Sequence, residues 1–195
     1  MKIYDSGMPE ENVWKTFFDP ASILSKLQFT SNCKDVVELG CGYGTFTIPA
    51  ASIISGNLFA IDIEQEMLDS TRDAAANLHI TNIKFILRDF IKEGTGLPDN
   101  SVDCAMVFNI LHNEQPIKLL EEVFRVLNNG GIVGIIHWNY DPDTPRGPEM
   151  NIRPKPEQCK QWAEKAGFEI TGNGIIDLPP YHFGMALRKN VIQNT

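Results

Sequence analysis

The chain has 195 residues, 43% hydrophobic and 22% charged, an ordinary globular composition long enough to bury a core without metal or disulfide support. A formal net charge of -8 and the lack of any long run of like charges argue against a nucleic-acid surface, because phosphate binding relies on clustered Lys and Arg. The longest apolar stretch, near 132–138, is far too short for a bilayer, the N-terminus reads polar, and the four cysteines form no C-x-x-C pair, so the expectation is a cytoplasmic protein with reduced thiols and no metal site.

The first thirty residues precede the core pattern. Tyr4, Gly7 and Met8 lie ahead of a helix opened by Pro9, in which Val13, Trp14, Phe17 and Phe18 form an apolar stripe until Asp19-Pro20 breaks it. A second helix over 20–27 carries Ile23, Leu24 and Leu27 on one face. These helices either pack on the sheet edge or fold over the site as a lid that excludes water.

A short apolar run then ends in Val36-Val37, followed by Glu38, by Gly40, Gly42 and Gly44 at alternate positions, and by a helical pattern over 45–54. That is strand, glycine turn and helix start. The chain must reverse there with positive φ and let a ligand touch bare backbone beside unpaired helix N–H groups, which is the arrangement of a cofactor site. Strand 58–62 ends in Asp62, where a carboxylate beside the glycine turn can accept both hydrogen bonds of a ribose diol. A helix over 65–78 leads to strand 83–87, followed by Asp89-Phe90, and strand 102–108 ends at Asn109. The helix over 115–127 is stopped by residues 128–131, and 132–138 is a fifth buried strand. Residues 139–155, dense in Pro and Asp, leave no room for regular structure and read as a functional insertion. A helix over 156–166 and strands over 168–172 and 182–188 close the chain.

Short apolar strands alternating with amphipathic helices imply right-handed crossovers and a doubly wound α/β domain with helices on both faces of a mostly parallel sheet. Glu38, Gly40, Asp62, Asp89, Asn109 and Trp138 all lie at or just beyond C-terminal strand ends, which gather into one crevice in such a sheet. Asp103 precedes Asn109 on the same strand and, at about 3.3 Å per residue, sits roughly 20 Å away at the opposite edge.

The spacing from Glu38 to Gly44 departs from the dinucleotide fingerprint G-x-G-x-x-G, which would need glycine where Thr45 stands. It matches E-x-G-x-G-x-G, and over 34–189 the chain resembles the class I S-adenosylmethionine-dependent methyltransferases. The resemblance implies a single domain over 1–195 with a seven-stranded sheet ending in a C-terminal antiparallel strand, S-adenosyl-L-methionine as cofactor and a small-molecule methyl acceptor. It further implies that Gly40, Cys41, Gly42 and Gly44 meet the methionyl part through backbone, that Glu38 orients the turn and the ammonium, and that Asp62 takes the ribose hydroxyls. Ile63 and Met67 would pack on the adenine, Asp89 would accept from its amino group beside Phe90, and Asn109 would offer a carbonyl to the ammonium. The structural alternatives are turn or capping acids for Glu38 and Asp89, and core for Met67 and Phe90.

Methyl transfer from a sulfonium is an in-line displacement in which alignment supplies most of the acceleration, and a base is needed only for a protonated acceptor. His112 is the candidate base, ahead of His182, Tyr4 and His137, the last of which reads as core. Tyr4, Met8 and Trp138 are candidate acceptor contacts, and Arg146 is a candidate clamp for an anionic acceptor. Members of the family that methylate nitrogen carry Asn or Asp before Pro-Pro and an aromatic after the fourth strand; Asn109-Ile110-Leu111-His112 differs and tilts toward O-, S- or C-methylation. The remaining readings are a non-catalytic S-adenosylmethionine-binding module and an NAD-dependent oxidoreductase. The oligomeric state is not legible.

Overall fold

In a computed structural model the described residues are 8–172 and 174–190. Strands Val36–Leu39 (β1), Leu58–Asp62 (β2) and Val102–Phe108 (β4) are apolar and almost wholly buried, as inner strands covered on both faces must be, whereas Ile83–Leu87 (β3) is half exposed at the edge. The remaining strands are Leu127–Trp138 (β5), Phe168–Ile170 (β6), Ile176–Leu178 (β7) and His182–Lys189 (β8). Their order is β3-β2-β1-β4-β5-β8, with β6 and β7 both on the outer side of β8. Pairings among β1 to β5 are parallel, and β8 runs antiparallel to β5, β6 and β7.

The doubly wound sheet and its antiparallel C-terminal strand agree with expectation. The sheet has eight strands rather than seven, because the outermost position is divided between β6 and β7. β6 was expected as 168–172; β7 had no signal, being three residues paired along β8.

Leu39 stands level with Ile61 on one side and Val107 on the other. Gly40, Asp62 and Phe108 therefore emerge together at the C-terminal edge, where the strand order reverses between β1 and β4. Pro116–Val126 (α6) and Pro156–Lys165 (α7) cover one face, through residues such as Leu120, Val123, Cys159 and Ala163. Pro20–Lys26 (α2), Thr47–Ile53 (α3) and Gln65–Asn77 (α4) cover the other through Leu24, Ala50 and Leu68. Each fully buried leucine of these stripes contributes about 1.5 to 3 kcal/mol, so the helix faces rather than helix propensity hold the layers together. No helix among the described residues is long and apolar enough to cross a membrane.

Several boundaries differ from the sequence-based expectation. The aromatic N-terminal helix is two short pieces, Glu11–Trp14 (α1) and a 3-10 turn Lys15–Phe17, before Asp19 caps α2 by accepting from the Ser22 N–H. A single turn, Phe90–Glu93 (α5), was not foreseen. β5 starts at Leu127, directly after α6, because Leu127 pairs with Val102 and a register shift absorbs the next residues before Cys104 meets Ile132.

The expectation of four reduced thiols is overturned. Cys33, in the turn after α2, and Cys104, in β4, are disulfide-bonded with Cα atoms 5.9 Å apart; Cys41 and Cys159 are free and buried. Spacing could not reveal this pair, since 71 positions separate residues that only the packing of α2 on the sheet makes neighbours.

Candidate cofactor and acceptor site

The glycine turn after β1 is built from both sides. Gly40 and Gly44 have φ of +78° and +76°, a region that L side chains rarely adopt. The Gly42 N–H donates to Asp62 Oδ2 at 2.9 Å, and Thr71 Oγ1 donates to the Gly42 carbonyl at 2.9 Å, so β2 and α4 clamp the turn between them. The other Asp62 oxygen accepts from the Glu64 N–H at 3.0 Å. Behind the turn, Thr47 Oγ1 donates to Glu38 Oε2 at 2.5 Å.

Two carboxyl groups are thus held at the mouth of β1 and β2 with little access to water; Glu38 is 3% exposed and Asp62 7%. Burial pushes the Glu38 pKa up to about 8, against the Thr47 hydrogen bond and with the help of the nearby Asp62 charge. Burial also raises Asp62, opposed by the main-chain donors of Gly42, Glu64 and Ile63. The Cys41 thiol is pushed well above its usual range by burial and by the same two acids, which leaves it a neutral wall group rather than a nucleophile.

These groups line one pocket, with Met8, Ile63, Phe90 and Asn109 completing the residues anticipated from sequence. Asn109 has φ of +56°, donates its backbone N–H to Ile136, and keeps both side-chain amide atoms buried with no hydrogen-bond partner among the described residues. An amide left so costs on the order of 1 to 3 kcal/mol, a penalty that a ligand's polar group would remove. The donor set fits a ligand carrying a diol and a cationic group: two acids, bare turn backbone and an orphaned amide, with no Lys or Arg on the wall among the described residues.

Other anticipated residues lie elsewhere. Gly44 is a packing glycine, since a Cβ there would come within 2.8 Å of Thr71 Cγ2. Met67 is buried at the start of α4 and is not on the wall. Asp89 caps α5, accepting from the Lys92 N–H at 3.2 Å and pairing with its ammonium at 3.0 Å, and its neighbour Phe90 faces the pocket instead. Trp138 is fully buried behind the rings of Trp14 and Phe17, at 6.2 and 5.5 Å, so it supports the wall without forming it. Arg146 is exposed and away from the pocket. Tyr4 lies outside the described residues.

The wall also contains Trp14, Thr45, Phe46, Phe108 and Ile110, which the sequence reading had not assigned to the site. Trp14 had a signal, the aromatic stripe of α1, but nothing in a stripe says where it docks. It docks across the strand ends, in a cluster with Phe17, Phe18, Trp138 and Tyr181, and Met8 lies against Gly42. In residues 139–155 the organising cation is Arg153, not Arg146. Its guanidinium donates to the carbonyls of Asn139, Asp141, Arg146 and Pro148 and to Thr144 Oγ1, which turns a proline-rich stretch into a fixed cap over Trp138.

His112 is 8% exposed and its Nδ1 lies 3.1 Å from His137 Nε2. His137 is core, as expected. His182 is also wholly buried, between Phe18 and Trp138 at 4.4 and 4.3 Å, and burial, then Arg153, lower its pKa to about 3. That removes His182 as a base near neutral pH.

Comparison with known proteins points the same way as this geometry. Residues 36–131 match the family model described as "Methyltransferase domain". The sterol 24-C-methyltransferase of Neurospora crassa is 25% identical over 162 residues, 80% of this chain and 38% of that protein. The chain spans about two-fifths of the length of the curated relatives it matches. An S-adenosylmethionine-dependent methyltransferase from Aquifex aeolicus has a TM-score of 0.79 at 23% identity, covering 92% of this chain and 93% of that one. The [4+2]-cyclase SpnF has a TM-score of 0.74 at 18% identity, covering 88% of this chain and 80% of that one, and at such identities the likeness is one of fold.

Proposed function

We propose that this chain, which belongs to the class I S-adenosylmethionine-dependent methyltransferases, transfers a methyl group to a small-molecule acceptor. The observation that carries the reading is the pocket in which the Gly40-Cys41-Gly42 backbone meets the Glu38 and Asp62 carboxyls. Asp62 uses one lone pair of each oxygen on the turn, which leaves the others for a ribose diol. Ile63 and Phe90 flank the adenine. Glu38 and Asn109 face the ammonium, and the glycine-turn backbone takes the methionyl chain. Gly44, Met67 and Asp89 act behind the wall.

When bound, S-adenosyl-L-methionine supplies an electrophilic methyl carbon on a sulfonium. The chain's part is to align the acceptor and exclude water, and Trp14, Phe46, Phe108 and Met8 are the groups placed for that. Of the N-terminal segment, Met8 and the α1 helix with Trp14 serve as the lid, α2 being packed on the sheet and residues 1–7 lying outside the described residues. Residues 139–155, held by Arg153, serve as the acceptor-side cap. Arg146, the cation considered as an anion clamp, is exposed and off the pocket wall among the described residues. The acceptor's chemistry, and a cytoplasmic location, stay proposals from the sequence; the Cys33–Cys104 bond weighs against the latter.

Calorimetric titration with S-adenosylmethionine, S-adenosylhomocysteine and NAD tests the cofactor. Binding of the first two and not the third is expected, and release of the demethylated product during a screen of small acceptors then tests turnover. Binding of NAD alone would reverse the assignment. Cofactor binding without turnover on any acceptor would favour a non-catalytic binding module, the second reading, which the SpnF likeness keeps open because this fold also carries chemistry other than methyl transfer.

A further inference from the structure

Three threonine hydroxyls surround the glycine turn, and two of them hold it in place. Thr71 Oγ1 donates to the Gly42 carbonyl at 2.9 Å, and Thr47 Oγ1 donates to Glu38 Oε2 at 2.5 Å. The third, Thr45 Oγ1, is buried with no hydrogen-bond partner among the described residues. Thr45 follows Gly44 directly and lies half-buried on the pocket wall. A buried hydroxyl in that condition has given up water and gained nothing in return, a loss that an acceptor atom on a ligand would remove.

The turn's own donors are already engaged. The Gly40 and Cys41 N–H groups both donate to the Ile61 carbonyl, at 2.8 and 3.3 Å, and the Gly42 N–H donates to Asp62 Oδ2 at 2.9 Å. What these three residues offer a ligand is close approach rather than hydrogen-bond donors. The carboxylates of Glu38 and Asp62 on the same wall are acceptors. Such surroundings suit an ammonium and a ribose diol and oppose a negative charge. The amino-acid end of S-adenosylmethionine nevertheless carries a carboxylate beside its ammonium, and that carboxylate needs a donor. Thr45 Oγ1 is a hydroxyl on the same turn whose hydrogen can rotate toward it.

We infer that Thr45 is a cofactor-binding residue, whose hydroxyl donates to the carboxylate of bound S-adenosylmethionine. The inference rests on the cofactor assignment proposed above and extends it, because it divides the zwitterion between two groups of residues. Glu38 and Asn109 face the ammonium, and Thr45 holds the carboxylate away from the two acids. A hydrogen bond to a charged group is roughly twice as strong as one between neutral groups, so a single hydroxyl suffices for a measurable effect.

The test is calorimetry on the full chain with S-adenosylhomocysteine and with its decarboxylated analogue, which keeps adenosine, sulfur and ammonium and lacks the carboxylate. Wild type is compared with Thr45→Val, which exchanges the hydroxyl for a methyl of similar size, and with Thr45→Ser, which keeps the hydroxyl. Thr45→Val should weaken S-adenosylhomocysteine about tenfold or more and leave the analogue within about twofold, whereas Thr45→Ser should stay close to wild type with both. Thermal unfolding without ligand gives a second readout: Thr45→Val should unfold no earlier than wild type, because the hydroxyl it removes has no partner to lose. Equal losses with both ligands, no loss with S-adenosylhomocysteine, or earlier unfolding of the free variant would each overturn the inference and leave the cofactor assignment standing. A wild type that binds neither ligand would overturn the cofactor assignment and this inference with it, so the two failures are told apart.

Discussion

The Gly42 N–H donates to Asp62 Oδ2 at 2.9 Å, which makes the turn after β1 and the acid at the end of β2 one mechanical unit. Removing the acid therefore both deletes the proposed ribose contact and loosens the turn backbone proposed to carry the others.

Asp62→Ala is expected to weaken S-adenosylmethionine binding by about 1 to 3 kcal/mol, the range for buried polar partners left unpaired. Asp62→Asn should lose less, because one oxygen remains to accept from the Gly42 or the Glu64 N–H. Calorimetry on both variants checks this, and an unchanged affinity in Asp62→Ala would remove the acid from the site.

Glu38 links binding to pH. Its carboxyl is protonated in the free protein below about 8, and a cationic ligand favours the ionised form, so binding should release a proton. Affinity should then rise with pH up to about 8 and level off above it. For folding the sign is opposite: a carboxyl whose pKa is raised in the native state costs stability progressively as pH climbs from its ordinary value toward 8. Glu38→Gln should remove both effects, raising stability near pH 8 by about 1 to 3 kcal/mol while weakening the cofactor. Titrations in buffers of different ionisation enthalpy count the proton, and a count of zero refutes the linkage.

Two glycines of one motif should fail differently. Gly44→Ala meets a positive φ and the Thr71 methyl, and should cost about 2 to 4 kcal/mol of stability through strain and overpacking. Thr71→Ser, which removes that methyl and keeps the hydroxyl bond to Gly42, should restore part of the loss in the double variant. Gly42→Ala also meets a positive φ, of +52°, but would place its Cβ in ordinary contact with Met8, so beside a backbone cost without overpacking it should also lower cofactor affinity. Thermal unfolding of the single and double variants decides, and strictly additive losses at 44 and 71 would mean the contact is not the cause.

The Cys33–Cys104 bond closes a long loop and, on the chain-entropy account, stabilises the fold by about 4 kcal/mol. Thiol titration of the denatured, unreduced protein should find Cys41 and Cys159 reactive and the other two silent. A reductant should lower the denaturant midpoint, and an unchanged midpoint would show that the bond contributes nothing.

Arg153→Lys should open the 139–155 cap, since an ammonium cannot reach the spread of carbonyls that the guanidinium fork binds. A loss of about 2 to 4 kcal/mol is expected, together with new proteolytic cleavage inside the segment. Arg146→Ala, by contrast, should leave both readouts near wild type.

What the sequence determined was local or periodic. The alternation of short apolar strands with amphipathic helices specifies a doubly wound sheet, and the spacing from Glu38 through Gly44, with Asp62 at the next strand end, specifies a cofactor turn, because strand ends of a parallel sheet converge whatever the side chains between them. Tertiary structure decided the rest. It set Gly44 against Thr71, gave Asp89 the hydrogen bond that caps α5, joined Cys33 to Cys104, and laid Trp14 across the strand ends as a wall. It also chose Arg153 over Arg146 as the hub of the cap and put His137 beside His112. Each of these depends on where one element docks on another, a matter of packing between positions far apart in the chain. No local period encodes it.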